Sequence, residues 1–531
     1  MTWQAEQLIV FHFDMNFVNL REDYIRKWLK KIADMGYNAI LWELEDKIQW
    51  EACPECVYPE AMSKETFKNI LEYAANLGLE AIPLLQTIGH GEYILKHKEY
   101  AHLKEDPEFH NCYCTLNQDV RKFLKSMICE YIDLFGDIRY FHLGGDEAYA
   151  FGTCSKCADY SEKYGKNKLY AEHILDISKE LLENNIRPGI WCDMILHYPN
   201  QVDMIPNNLI IWDWNYWSND NSTNNTNVWG KGNVDKETID QETLDAIPEI
   251  MDNKGDFIPF YTSDMLQRFG FDVILCSASR SGGDSVFCPN FDTHSLNIIG
   301  ATRKMVTAKL LGTCVTSWAI RINNFETQEL FLRLVPATLI MPEKSATNVI
   351  KKVADNMFST DSTILLKALS KLGQGIHFGQ NNTTAIQWNN LKDSLPAPPN
   401  YITDKINEWK SDDYNTWNTI IKDHRKILDE IFEGIELLNQ FIPQAKTGFD
   451  YLEAWSKAAY HQQWQGKLGE QIIKEAPSVE YATLASGLKI EAQHYFERME
   501  TPQSAAKNAG LIFDCLIEYF HSGFESTTYK Y

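Results

Sequence analysis

Two adjacent carboxylates, Asp146 and Glu147, close the run Ile138-Arg-Tyr-Phe-His-Leu-Gly-Gly-Asp-Glu-Ala-Tyr-Ala150. An apolar, aromatic stretch that stops at two glycines and two acids reads as a buried strand delivering carboxyl groups to its C-terminal end. Neighbours in a regular strand point to opposite faces, so Asp146 and Glu147 can serve one site only where the strand gives way to a loop. Gly144-Gly145 allows that turn and lets a ligand approach the backbone. Paired carboxyls are the equipment of general acid–base chemistry. The competing readings are a strand-end turn with solvated acids and a metal-dependent hydrolase that uses His142, Asp146 and Glu147 as ligands. A sugar-binding barrel without catalysis would have to lack an acid, and both are present.

His142-Leu-Gly-Gly-Asp-Glu147 resembles the His-x-Gly-Gly-Asp-Glu signature of the β-N-acetylhexosaminidases of glycoside hydrolase family 20. The segment from Ala81-Ile-Pro-Leu-Leu-Gln-Thr-Ile-Gly-His90 to Leu103, continued by Cys114-Thr-Leu-Asn117, is most similar to the hexosaminidase D branch of that family. The resemblance covers roughly residues 8 to 335. It implies a (β/α)8 barrel and an exo-acting, retaining hydrolase that releases terminal β-linked N-acetylhexosamine, GalNAc or GlcNAc. Family 20 is one of the substrate-assisted exceptions among glycosidases, in which the protein supplies no nucleophile. Carried over by motif position, Glu147 is general acid and then base, and Asp146 orients the acetamide and steadies the oxazolinium. His90, Asp46 and His142 would support them, with burial and acidic neighbours raising the pKa of the acid. Trp191, Trp212 and Trp318 would line the pocket for the N-acetyl methyl, since sugar C–H surfaces pack on aromatic faces. No cofactor is required for this catalysis.

The chain departs from the family at two places. The family's major branch begins its first strand with an Arg that binds sugar hydroxyls, where this chain has Ile9. Asp14, Glu43, Glu45, Asp213 and Arg321 are the candidates to replace it. The tyrosine that supports the oxazolinium has no clear match, which leaves Tyr216 and Tyr149 as candidates.

The elements that must position these residues can be read in chain order. Apolar strand patterns lie at 8–14, 38–44, 80–86, 138–143, 187–193, 209–214, 272–278 and 313–318, several ending in an acid or an aromatic residue. Between the early strands, stripes such as Ile25, Trp28, Leu29, Ile32 and Met35 keep helical period. Asn19 and Ser63 stand as N-caps, and Gly36 and Gly78 as stops. Eight strands alternating with helices predict a (β/α)8 TIM barrel over 1–345, with the site at the strand C-termini. No helix is expected between the strands at 187–193 and 209–214, and 221–240 reads as a long loop over the mouth. Beyond 345 only amphipathic helices remain, as at 413–440, so 346–531 reads as an α-helical C-terminal domain for packing or homodimerisation.

A net charge of −23 over 531 residues argues against binding nucleic acid. No run approaches the about 18 apolar residues of a membrane span, and Met1-Thr-Trp-Gln lacks a signal-peptide pattern. The expected setting is therefore cytoplasmic and the expected partner a small glycan or glycoconjugate. Among 12 Cys, the pairs Cys53-Pro-Glu-Cys56 and Cys154-Ser-Lys-Cys157 fall after the second and fourth strands. Together they offer four thiolates for a structural zinc, with Cys112 and Cys114 as substitutes.

Overall fold

The computed structural model describes residues 7–221, 223–319, 324–374, 400–411 and 415–525. The chain divides into two compact units. The first comprises residues 1–16, 26–278 and 296–316, and the second 17–25, 279–295 and 317–531.

The first unit is built on a closed parallel barrel. Its strands are β1 (Leu8–Asp14), β2 (Ala39–Glu43), β3 (Glu80–Leu84), β4 (Tyr140–His142), β5 (Arg187–Trp191) and β6 (Ile210–Trp214). A two-stranded antiparallel hairpin follows, β7 (Asn225–Val228) with β8 (Gly232–Asp235), and then β9 (Asp272–Arg280) and β10 (Gly312–Ser317) complete the barrel. The closed order is β1-β10-β9-β6-β5-β4-β3-β2. Every residue of β1 and β2 is buried, as expected of parallel strands covered on one face by helices and on the other by the barrel interior. Eight strands and an intervening helical layer are the fold the sequence pattern predicts. The 221–240 stretch is a hairpin rather than an irregular loop: Asn225 to Val228 pair with Asp235 to Gly232. Between β5 and β6 the chain makes only short helical turns, Asp193–Leu196 and Pro199–Met204.

Local sequence explains the helix ends. Ser63 accepts the amide of Thr66 and Asn117 that of Asp119, each satisfying a donor that the helix itself cannot. The seam between β3 and β4 is thin, with the single register pair Leu84–His142. By contrast, β2 and β3 pair over five residues, Ala39 to Glu43 with Glu80 to Leu84.

The second unit is helical in the residues described, with long helices at Asn415–Phe441, Phe449–Ile473, Val479–Phe496 and Pro502–Glu525. Within it, the buried Trp455 indole donates to the carbonyl of Thr327 at 3.1 Å. His294 sits 2.9 Å from both oxygens of Asp284. No helix among the described residues is long and apolar enough to cross a membrane.

Candidate active site

Asp146 and Glu147 follow β4 on a backbone that has left the strand. Gly144 and Gly145 have φ of 61° and 87°, and Glu147 itself has φ 40°. A side chain at Gly144 would strike Gln86, and one at Gly145 the Tyr170 hydroxyl, so both positions need glycine for space as well as for conformation. Glu147 shares its left-handed backbone with Glu45 (φ 42°) and His90 (φ 52°), which stand after β2 and β3. Non-glycine residues in this region are strained, and strain of this kind gathers at functional sites.

The His90 loop passes hard against the Asp146 backbone, because a Cβ on Gly89 would lie 2.0 Å from the Asp146 carbonyl oxygen. This brings His90 Nε2 to 3.5 Å from Asp146 Oδ2 and 3.4 Å from Glu147 Oε2. The Asp146 side chain is 7% exposed and that of Glu147 is 41% exposed. Burial alone would lower the His90 pKa, but Asp146 and Glu147 outweigh it and hold the imidazole well above its ordinary value. Burial raises Asp146 against the pull of His90. For Glu147 the balance reverses: burial would raise it, while His90 and the Tyr149 hydroxyl bring it below the usual carboxylate range. The sequence expectation of a raised acid therefore meets, in the free protein, a glutamate held ionised by a histidinium.

Asp193, two residues past the end of β5, completes the group. Its Oδ2 accepts the Glu147 amide at 3.0 Å and its Oδ1 the Trp214 indole at 3.2 Å. Burial, then the charge of Asp146, pushes its pKa up to about 7. The sequence reading noted Asp193 only as the end of a strand. The signal it offered was that β1 and β5, like the motif strand, run straight into an acid.

The other candidates fall into three groups. Glu43, His12, His142, Trp191 and Trp212 are sealed inside the barrel, and Asp213, equally buried, faces the helix Tyr261–Arg268 outside it. Glu43 takes His12 Nε2 on one oxygen and Gln86 Nε2 on the other, both at 3.0 Å. His142 Nδ1 accepts the Gly144 amide at 2.9 Å, and its ring lies 4.3 Å from Trp191 and 5.0 Å from Trp212. Burial, helped by His12, holds His142 far below its ordinary pKa and hence neutral. Asp213 accepts the hydroxyls of Thr262 and Ser263 at 2.8 and 2.6 Å.

A second group stands at the strand ends. Asp14 accepts the Asn16 amide at 2.7 Å. Glu45 is raised by burial and by Glu43. Asp46 pairs with Lys47 rather than joining His90. Tyr149 is 75% exposed, with its amide on Asn111 Oδ1 at 2.9 Å. Tyr216 stacks on Trp214 at 5.3 Å, and Trp217 and Trp229 extend this into an aromatic cluster after β6, one that sequence reading found only at Tyr216. Of the remaining candidates, Trp318 belongs to the second compact unit and Arg321 lies outside the described residues.

Two expectations need correction. The set His142–Asp146–Glu147 is not assembled as a metal site, because His142 turns its ring to the indoles and spends Nδ1 on Gly144. The two Cys-x-x-Cys pairs do not meet either. Cys53 lies against Met127, with its sulfur 3.7 Å from that thioether, whereas Cys154 and Cys157 gather with Cys114 and Glu105. The physical reason is the intervening β3, whose following loop supplies the partners instead.

Residues 17–233 match the model described as the glycosyl hydrolase family 20 catalytic domain. Among characterised proteins, Hexosaminidase D of Bos taurus is 28% identical over 213 residues, which cover 38% of this chain and 62% of that protein. Hexosaminidase D of Homo sapiens is 28% identical over 221 residues, covering 39% and 45%. Lacto-N-biosidase of Bifidobacterium bifidum is 28% identical over 197 residues, covering 34% and 17%. The chain thus spans about half the length of the Hexosaminidase D relatives it matches. The signature strand and the barrel agree with the family model, and residues 17–233 are similar to the catalytic domain of glycosyl hydrolase family 20.

Proposed function

We propose that the protein is an exo-acting, retaining β-N-acetylhexosaminidase that releases terminal β-linked GalNAc or GlcNAc from glycans or glycoconjugates. The observation that carries this reading is the grouping of His90 with Asp146 and Glu147 at the C-terminal mouth of a family 20 barrel. The substrate's acetamido oxygen attacks the anomeric carbon as the glycosidic bond breaks, and Glu147 gives its proton to the departing oxygen. Asp146 accepts the acetamide N–H and balances the positive oxazolinium. Glu147 then takes a proton from the water that opens the ring.

In the free protein the proton of this group resides on His90, 3.4 Å from Glu147. A neutral sugar seated over Glu147 adds to its burial and raises its pKa, the direction that acid catalysis requires. Asp193 holds the Glu147 backbone through the amide and so fixes where the acid points. The aromatic cluster of Trp214, Tyr216, Trp217 and Trp229 offers the flat faces on which a sugar stacks.

The test is a panel of nitrophenyl β-glycosides that differ only at carbons 2 and 4. Cleavage of the 2-acetamido sugars, with the plain glucoside at least about 10²-fold slower, is the expected result. Equal cleavage of the plain glucoside, or an α-configured first product in proton NMR, removes the reading. The same reading includes a homodimer through the helical C-terminal region, which sedimentation showing only monomer would remove.

A further inference from the structure

The structure assigns a tetrahedral zinc site to Glu105, Cys114, Cys154 and Cys157, and its role is to tie together the two loops that carry His90 and Glu147. One ligand atom from each residue lies within 4.8 Å of all the others. The Cys114 sulfur is 3.7 Å from that of Cys154 and 3.8 Å from that of Cys157. A tetrahedron of sulfurs at the ordinary Zn–S distance of about 2.3 Å has an edge of about 3.8 Å. The same separations are far beyond the roughly 2.05 Å of a disulfide. The sulfurs thus already stand where a zinc ion would hold them.

Two further features point to a cation. Glu105 is 2% exposed, and its Oε2 is buried without a hydrogen-bond partner among the described residues. A carboxylate left in that state is costly unless it meets positive charge, and the group offers only thiols. Its Oε1 accepts the Cys154 amide at 3.1 Å, and the Cys157 amide points at the Cys154 sulfur at 3.5 Å. These bonds fix the orientation of two ligands from the second layer, as metal sites require. The Cys-x-x-Cys turn also caps the helix Ser155–Tyr164, where the helix dipole favours a thiolate.

Each sulfur coordinates as thiolate, so binding releases the thiol protons that remain. The site has a structural purpose in the loop connections. Between Glu105 and Cys114 lies Asn111, whose carbonyl accepts the Gly91 amide at 2.9 Å and whose side chain accepts the Tyr149 amide at 2.9 Å. Metal at the four ligands therefore clamps the loop after β3 to the loop after β4, next to His90 on one side and Glu147 on the other. All four positions are filled by protein, which makes the site structural rather than catalytic. This inference stands without the glycosidase reading, because its readouts are metal content and spectrum.

The experiment uses the full chain, purified under reducing conditions without chelator. Elemental analysis is expected to give about one zinc per chain. Exchange with cobalt(II) is expected to give the charge-transfer and visible bands of tetrahedral thiolate cobalt. Cys154→Ser combined with Cys157→Ser should lose both signals, and Cys53→Ser combined with Cys56→Ser should keep them. X-ray absorption at the zinc edge of the unaltered protein should show three sulfurs and one oxygen, which keeps the proposal exposed if the first double variant fails to fold. Less than about a tenth of an equivalent of metal together with no cobalt–thiolate band overturns it. So does zinc that survives loss of Cys154 and Cys157 or departs with Cys53 and Cys56.

Discussion

The barrel contains two groupings of histidine with carboxylate, and they differ in every respect that matters for chemistry. Inside, His12 and Glu43 meet at 3.0 Å with side chains 0% and 2% exposed, and Gln86 occupies the second oxygen of Glu43. At the mouth, His90 stands 3.5 and 3.4 Å from two carboxylates at once, and Glu147 is 41% exposed. The inner grouping is saturated: each carboxylate oxygen has one short partner and a substrate has nothing to displace. The outer one is shared and loose, so an incoming sugar can take over contacts without leaving a buried charge unpaired. A histidine beside a carboxylate is thus structural or catalytic according to whether its partners are fully spent.

The largest test of this contrast is at the outer carboxylates. Glu147→Gln should cost poor leaving groups roughly 10²-fold or more in kcat/KM and partly spare a nitrophenyl glycoside, which departs with little proton donation. Asp146→Asn should cost both kinds of substrate roughly 10²–10³-fold, since it removes charge that stabilises the oxazolinium whatever the leaving group. Equal losses for the two variants across leaving groups would collapse the distinction between them.

Glu43→Leu should do the opposite, leaving His12 and Gln86 without their acceptor. A loss of about 3 kcal/mol in unfolding free energy is the scale for breaking a buried pair, measured as a lower urea midpoint, while kcat of the folded protein stays within about tenfold. A Glu43 variant of full stability and no activity would place the inner grouping in the reaction and break the comparison.

The smaller effects are in pH dependence. His90 has a folded pKa above its ordinary 6.5, so its contribution to stability is complete below 6.5 and is lost as pH rises through the raised folded value. His90→Asn should flatten the decline of the thermal midpoint on that alkaline side. Asp193 works in another window: its carboxyl is raised from 3.8 to about 7, so the folded state holds the proton more tightly and stability falls as pH climbs between those values. Asp193→Asn, which keeps an acceptor for the Glu147 amide, should remove that slope. Differential scanning fluorimetry across pH checks both variants.

The barrel was legible in the sequence because its strands are continuous apolar runs and its helices carry regular stripes; of the two caps read there, Ser63 caps its helix, while the first helix begins at Glu22, past Asn19. The pairing of Asp146 with Glu147 was legible from the motif. What sequence hid was the direction of side chains at equivalent strand ends. Glu43 and Glu45 are two residues apart and look alike in a string, yet the first is spent within the barrel and the second has turned through a left-handed backbone. Trp191 and Trp212 are buried against His142, while the less buried indoles cluster beyond them: Trp214 ends β6, Trp217 follows it, and Trp229 lies in the β7–β8 hairpin. Spacing was equally blind for the cysteines. Two identical Cys-x-x-Cys pairs suggested one site with Cys114 only as a substitute, whereas the fold joins Cys114 and Glu105 to Cys154 and Cys157 and leaves Cys53 against Met127.

The single register pair between β3 and β4 has a consequence for how the molecule opens. A closed barrel has no edge, so any excursion that exposes backbone amides must begin by parting one ladder, and the cost of parting scales with the rungs broken. The seam with one rung flanks the strand that ends in Asp146 and Glu147. Hydrogen–deuterium exchange would then show its earliest cooperative opening at the mouth beside the acids, with the five-rung seams, β1–β2, β2–β3 and β6–β9, exchanging later. Breathing of the scaffold and exposure of the reactive groups become one event, and the loops that bracket this seam set its frequency.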